Sequence, residues 1–367
     1  MPTFPQRCGV KAAVSLVCMW LLFFSTSSAR ADIPRLEAGA ERGSVQKQMQ
    51  LAAAYFLGRG VQRSEEMAAF WYEKAANSGD PIAQEEIGYF YQAGIGVPRD
   101  PVRAAHWFQL AAAGGRASAK VNLGVAYLWG LGVPRNQALA LQLFHEALDK
   151  GSAVAADYIG EAYFLGIGVA KDVSAAQHWY AIGAKMHDPH AQFRLAGLLS
   201  TDAARPEDMS RAATILRTSS KSGYVPAKHM LGLLIANHPE LAAKPNEAIQ
   251  NLEEAAEAGT WKSSAVLGAL ARDGRGMTAD PKSAYLRFKV AEIQGGDSAR
   301  SLVAADISRL AATLSDADVQ ALNAQAHDWV ERHKTQLQFV YGAVAPAFAL
   351  TSPDLTIHAG RLMPNPN

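Results

Sequence analysis

Apolar and small positions along this chain recur with a fixed step of 36 residues, as from Leu51 to Ile87. One column reads Leu51, Ile87, Leu123, Ile159, Leu195, Leu231 and Leu267, and the position after it reads Ala52, Gly88, Gly124, Gly160, Ala196, Gly232 and Gly268. An unbroken alanine column runs through Ala68, Ala104, Ala140, Ala176, Ala212, Ala248 and Ala284. Large residues follow at Tyr72, Phe108, Phe144, Tyr180, Leu216, Leu252 and Phe288, and a turn column at Gly79, Gly115, Gly151, His187, Gly223, Gly259 and Gly295. No insertion breaks the count, and a period of this length is the mark of a repeat architecture.

Each unit reads as two helices. Ala83, Ile87, Gly88 and Tyr91 keep one face of a 3.6-residue period, which predicts a first helix, here helix A. Its end is marked by a doubled glycine: Gly58 and Gly60, Gly94 and Gly96, Gly130 and Gly132, Gly166 and Gly168. Asp100-Pro101 then supplies an N-cap acceptor and a proline at N1, where its missing N–H costs nothing, and Ala104, Trp107, Phe108 and Ala111 mark helix B. The same cap recurs at Asp80-Pro81, Asp188-Pro189 and Asp280-Pro281. Small residues on helix A and the alanine column on helix B let the two backbones approach, while the large column fills the space between units. One unit cannot bury its apolar face alone, so the units stack into a helical solenoid.

Ala119–Val133 reads AKVNLGVAYLWGLGV and Trp71-Tyr72-Glu73-Lys74-Ala75-Ala76 ends a helix B. Together these resemble the Sel1-like repeat, a relative of the tetratricopeptide repeat, over about residues 46 to 300. The resemblance implies an all-α, right-handed superhelical α/α solenoid of about seven 36-residue helix pairs with a C-terminal capping helix pair. Units five and six depart, with STDAARPED and NHPELAAKP in place of the glycine loop but at unchanged length. The organisation expected is a signal peptide over 1–31, a lead-in over 32–45, the repeats over 46–296, capping helices over 297–337 and an irregular tail over 338–367. Within the cap, Ser315-Asp316-Ala317-Asp318 opens a helix that should run to about Lys334.

Composition adds location. Arg7 and Lys11 precede an apolar run from Ala12 to Phe24, and Ala29-Arg30-Ala31 has the small-x-small spacing of signal peptidase substrates. Cleavage there would leave Asp32 as the mature N-terminus of an exported, periplasmic or secreted protein without a membrane span. Both cysteines, Cys8 and Cys18, fall in that leader, so the mature chain would carry no thiol and no disulfide. With 35 Lys and Arg against 34 Asp and Glu there is no excess charge to hold nucleic acid.

Chemistry is sparse in this pattern. The doubled glycine follows a helix and precedes Val133-Pro134, whereas a phosphate loop follows a strand and opens a helix. His187-Asp188-Pro189-His190 contains ligand residue types, but it occupies the turn and cap positions of every other unit, and Pro189 keeps the rings off one regular helical face. Adjacent pairs such as Glu65-Glu66, Glu85-Glu86 and Glu253-Glu254 suit solvated surfaces. No cofactor, metal or catalytic residue is expected.

What remains is a binding surface. By analogy with tetratricopeptide arrays, helix A lines the concave side, and its variable positions include Glu85, Tyr89, Gln92, Val125, Asp157, Glu161, Phe164 and Phe193. Exposed Tyr89, Phe164 and Phe193 beside Glu85, Asp157 and Glu161 would suit a peptide with apolar anchors and basic groups. The expectation is a non-catalytic adaptor for a protein or peptide partner at the bacterial envelope, a role that the resemblance extends to signalling or exopolysaccharide control. Two alternatives remain: a hydrolase acting on cell wall or β-lactams, which in that family relies on disulfides absent here, and an assembly part of a polysaccharide-export complex.

Overall fold

The computed structural model describes residues 26–201 and 205–341, and among them every regular element is helical. The chain divides into two compact units, one reaching Trp179 and the other starting at Tyr180. The first contains α1 (Thr26–Glu41), α2 (Val45–Leu57), α3 (Glu65–Asn77), α4 (Pro81–Ala93), α5 (Pro101–Ala113), α6 (Ala117–Trp129), α7 (Gln137–Asp149) and α8 (Ala153–Leu165). Helix α9 (Val173–Lys185) contains the division. The second unit holds α10 (Pro189–Leu199), α11 (Pro206–Lys221), α12 (Val225–Asn237), α13 (Glu247–Glu257), α14 (Trp261–Asp273), α15 (Pro281–Ala311) and α16 (Asp316–Tyr341).

Local chemistry sets these boundaries. The Asp100 carboxylate accepts from the Val102 and Arg103 amides at 3.0 Å each, and Asp80, Asp188 and Asp280 cap their helices in the same way. At the other end of α4, Gly94 takes the left-handed conformation (φ 72°) and sends its N–H to Phe90 O at 2.8 Å. Gly96 serves a second need, since a Cβ there would lie 2.1 Å from the Glu65 carbonyl oxygen. The loop therefore rests on the first turn of the preceding helix B.

The small column packs on the large one within each pair. A Cβ on Gly88 would meet the Phe108 ring at 2.7 Å, and one on Gly124 the Phe144 ring at 2.5 Å. The same rings reach the next repeat: Phe144 stacks on Tyr158 at 4.9 Å, and Tyr72 meets Phe90 edge-on at 5.4 Å. Ile87, Ile159 and the alanines Ala68, Ala140 and Ala176 are fully buried.

The glycine pair lost in units five and six returns in register at Gly274 and Gly276, both with positive φ. Three features depart from the expected pattern. The lead-in is mostly helical: α1 packs on α2, with Gln48 donating to Ala40 O at 3.0 Å. At the last boundary the turn falls on Gly296 (φ 57°, ψ −136°) instead of Gly295, whose missing Cβ makes room for the Trp261 ring at 2.7 Å. Finally, α16 continues past Lys334 to Tyr341. Most of the expected leader, residues 1–25, lies outside the described residues, as does the tail from 342 onward. No helix among the described residues is long and apolar enough to cross a membrane.

Candidate functional site

In the first unit, α4 and α6 are consecutive A helices, and polar side chains connect them across one repeat step. Arg116, the residue before α6, donates from Nε to Glu85 Oε2 at 2.8 Å, with a second nitrogen at 2.7 Å. The Tyr89 hydroxyl donates to Glu85 Oε1 at 3.3 Å and accepts from Asn122 Nδ2 at 2.6 Å. Four side chains thus form one hydrogen-bonded chain between α4 and the start of α6.

This arrangement corrects the expected exposure. Tyr89 is 4% exposed and Glu85 2%, because their polar ends are consumed by the neighbouring repeat while the Tyr89 ring packs edge-on against Phe108. Asp157, Glu161 and Phe164 are likewise buried, and Lys171 stands over the Phe164 ring. Gln92 and Val125 remain half-buried. Phe193 belongs to the second unit, where its ring meets Tyr224 edge-on at 5.7 Å. The three aromatic residues do not form an exposed set of anchors.

The Glu85-Glu86 pair also departs from the solvated-surface expectation, with Glu86 only 4% exposed. Burial first, and then the neighbouring Glu85 charge, push the Glu86 carboxyl up to about 8, against the opposing pull of Arg116. Burial and the same carboxylates hold the Tyr89 hydroxyl well above its ordinary value, so it serves as a neutral donor. Glu86 therefore keeps its proton near neutral pH, next to the Arg116–Glu85 contact.

The His187-Asp188-Pro189-His190 segment forms the turn its column predicts. His187 adopts φ 65° where the other units place glycine, and Asp188 accepts from the Ala191 amide at 2.7 Å. His190 Nδ1 lies 3.2 Å from the Tyr224 hydroxyl. In α12, His229 Nδ1 lies 2.8 Å from Ser263 Oγ, a distance that also suits a nucleophile and its base. Ser263 is fully buried and His229 half-buried, and burial lowers His229 to about 4; the pair ties α12 to α14 across one repeat step.

A family model described as Sel1 repeat matches residues 48–80, 81–115, 117–152, 153–188 and 227–260. The intervening segments 189–226 and 261–296 keep the same helix-pair packing. Among solved structures, a Sel1 repeat protein from Oxalobacter formigenes is 31% identical over 59% of this chain and 89% of its own, with a TM-score of 0.54. A protective antigen of uropathogenic Escherichia coli displaying an SLR fold is 21% identical over 86% of this chain and 75% of its own, with a TM-score of 0.44. An immunity protein from Pseudomonas aeruginosa is 18% identical over 53% of this chain and 74% of its own, with a TM-score of 0.37. No curated protein matches significantly. Repeats of this type are generally non-catalytic scaffolds for protein–protein interaction. With the repeat model recurring at the step of the packed helix pairs, and with a solved relative at this identity, the chain belongs to the Sel1 repeat family.

Proposed function

We propose that this chain is a non-catalytic, exported scaffold that holds a protein or peptide partner at the bacterial envelope on the helix-A face of its first unit. One observation carries the reading: the Arg116–Glu85–Tyr89–Asn122 chain fixes polar side chains between consecutive A helices, beside the partly accessible Gln92 and Val125. The network holds α4 and the start of α6 against each other, so the helices that carry Gln92 and Val125 need no reordering when a partner arrives. Export follows from the leader: its basic start, apolar run and Ala29-Arg30-Ala31 support cleavage before Asp32. Control of signalling or of exopolysaccharide production is the role this scaffold would serve.

The test combines fractionation with crosslinking. Tagged full-length chain is expressed in a Gram-negative host, the periplasmic fraction is collected, and partners are crosslinked to wild type and to a Gln92→Glu, Val125→Glu double variant. The proposal expects a shortened chain in the periplasm and a specific partner lost in the variant. A chain retained in the cytoplasm at full length would overturn the export reading, and equal capture by both proteins would overturn the choice of face.

A further inference from the structure

In the regular repeats, the second glycine of each loop lies on the preceding helix B. A Cβ on Gly96 would come within 2.1 Å of Glu65 O, one on Gly132 within 2.0 Å of Pro101 O, and one on Gly168 within 3.1 Å of the Gln137 side chain. Each of these contacts reaches back 31 residues, as from Gly96 to Glu65, which pairs Gly276 with Pro245. At Gly276 that contact is missing, and the nearest atom is Ile249 Cδ1 at 3.9 Å.

The cause is the replaced loop. Helix α12 ends on His238 (φ −131°, ψ 75°) in place of a left-handed glycine, a short turn follows over Pro239–Leu241, and α13 starts at Glu247. The starts of α3, α5, α7, α9 and α15 at 65, 101, 137, 173 and 281 place the regular start at 245. Two missing residues withdraw the first turn by about 3 Å. What opens is a cleft of about 570 Å³, within the range of small-ligand sites.

Its walls are fixed by hydrogen bonds. Buried Glu247 accepts from Arg217 Nε and from the Ala243 amide, both at 2.7 Å, while Arg275 donates to Ala236 O at 2.9 Å. Ile235, Ile249, Leu270 and Pro239 make the lining mainly apolar, and the charged groups on it are Lys244, Arg275 and Glu247. Glu247 is consumed by Arg217, and the nearby Asp273 is consumed by Arg272 at 2.6 Å. Neither Lys244 nor Arg275 takes part in an ion pair among the described residues. Lys244 and Arg275 act at longer range on Glu247 and Asp273, carboxylates already paired with Arg217 and Arg272, so the apolar cleft keeps a net positive charge.

We propose that this cleft binds a small apolar carboxylate, with its anionic head on Lys244 and Arg275 and its alkyl or aromatic body against Ile249 and Leu270. An alcohol of the same length would leave the cations unmet, and an amine would be repelled by them. Octanoate is the probe and octan-1-ol its uncharged control.

Isothermal titration of the folded full-length chain measures both. Octanoate is expected to bind saturably with one site, about fivefold more tightly than octan-1-ol, since Lys244 is exposed and a solvent-screened ion pair is worth up to about that factor. Lys244→Gln should weaken octanoate by up to about fivefold at an unchanged Tm, and Ala242→Trp, which places an indole in the cleft, should abolish it. Equal binding of octanoate and octan-1-ol overturns the proposal. So does the absence of saturable binding to wild type, or an Ala242→Trp protein that melts and binds as wild type does.

Discussion

Replacing Glu86 by Gln tests how the first unit tolerates two adjacent buried carboxylic acids. In the unfolded chain the Glu86 carboxyl ionises near 4.5, while in the folded chain burial and Glu85 raise it to about 8. Below 4.5 both states hold the proton, and the group contributes nothing to the pH dependence. Between 4.5 and about 8 the unfolded chain has released a proton that the folded chain keeps, so stability falls as pH rises. Above 8 both states are ionised and the loss levels off. At about 1.36 kcal/mol per pH unit, the interval sets a ceiling of about 5 kcal/mol, which water entry and local relaxation reduce. Gln keeps the size of the neutral acid and removes this slope. Urea denaturation followed by circular dichroism from pH 4 to 9 should show wild type and Glu86→Gln close together at pH 4, with the variant more stable by several kcal/mol at pH 8.5. Parallel curves across that range would refute the assignment of a buried, neutral carboxylic acid.

Other substitutions probe different layers of the same unit. Gly124→Ala puts a methyl group 2.5 Å from the Phe144 ring and should lower stability by about 1–3 kcal/mol through overpacking, read as a lower urea midpoint. Arg116→Met leaves the Glu85 carboxylate buried without its cation and should cost about 3–5 kcal/mol, while adding Glu85→Gln should recover much of that loss in a double-mutant cycle. His187→Gly relieves a non-glycine residue at φ 65° and should raise the thermal midpoint, with about 1 kcal/mol gained; a lower midpoint would mean that the His187 side chain contributes more than its backbone strain costs.

The features legible in the sequence are those whose causes are local or periodic. Asp-Pro caps, left-handed glycines and the pairing of Gly88 with Phe108 each depend on a few positions repeated in one register, so the helix-pair fold could be read from that register. The polar face could not. Whether Glu85 and Tyr89 meet water depends on Arg116 and Asn122, which lie 31 and 33 residues away and vary between units as solvent-facing residues also do. One signal was present: Arg116 fills a column that holds Asp80 and Asp188 in other units, and it makes no cap hydrogen bond, which frees its guanidinium for the previous repeat. The cleft was hidden for another reason, because NHPELAAKP preserves the length of the unit while delaying the start of its second helix.

Site-specific photocrosslinking tests the proposed partner-binding face most directly. A photoreactive amino acid is placed singly at Gln92 and Val125 on the helix-A face, and at Phe70 and Val102, which are 48% and 63% exposed on helices B. Irradiation of cells producing the chain should give a discrete partner adduct from Gln92 and Val125 and none from Phe70 or Val102. Adducts from the helix-B positions alone, or equal yields from all four, would contradict the account.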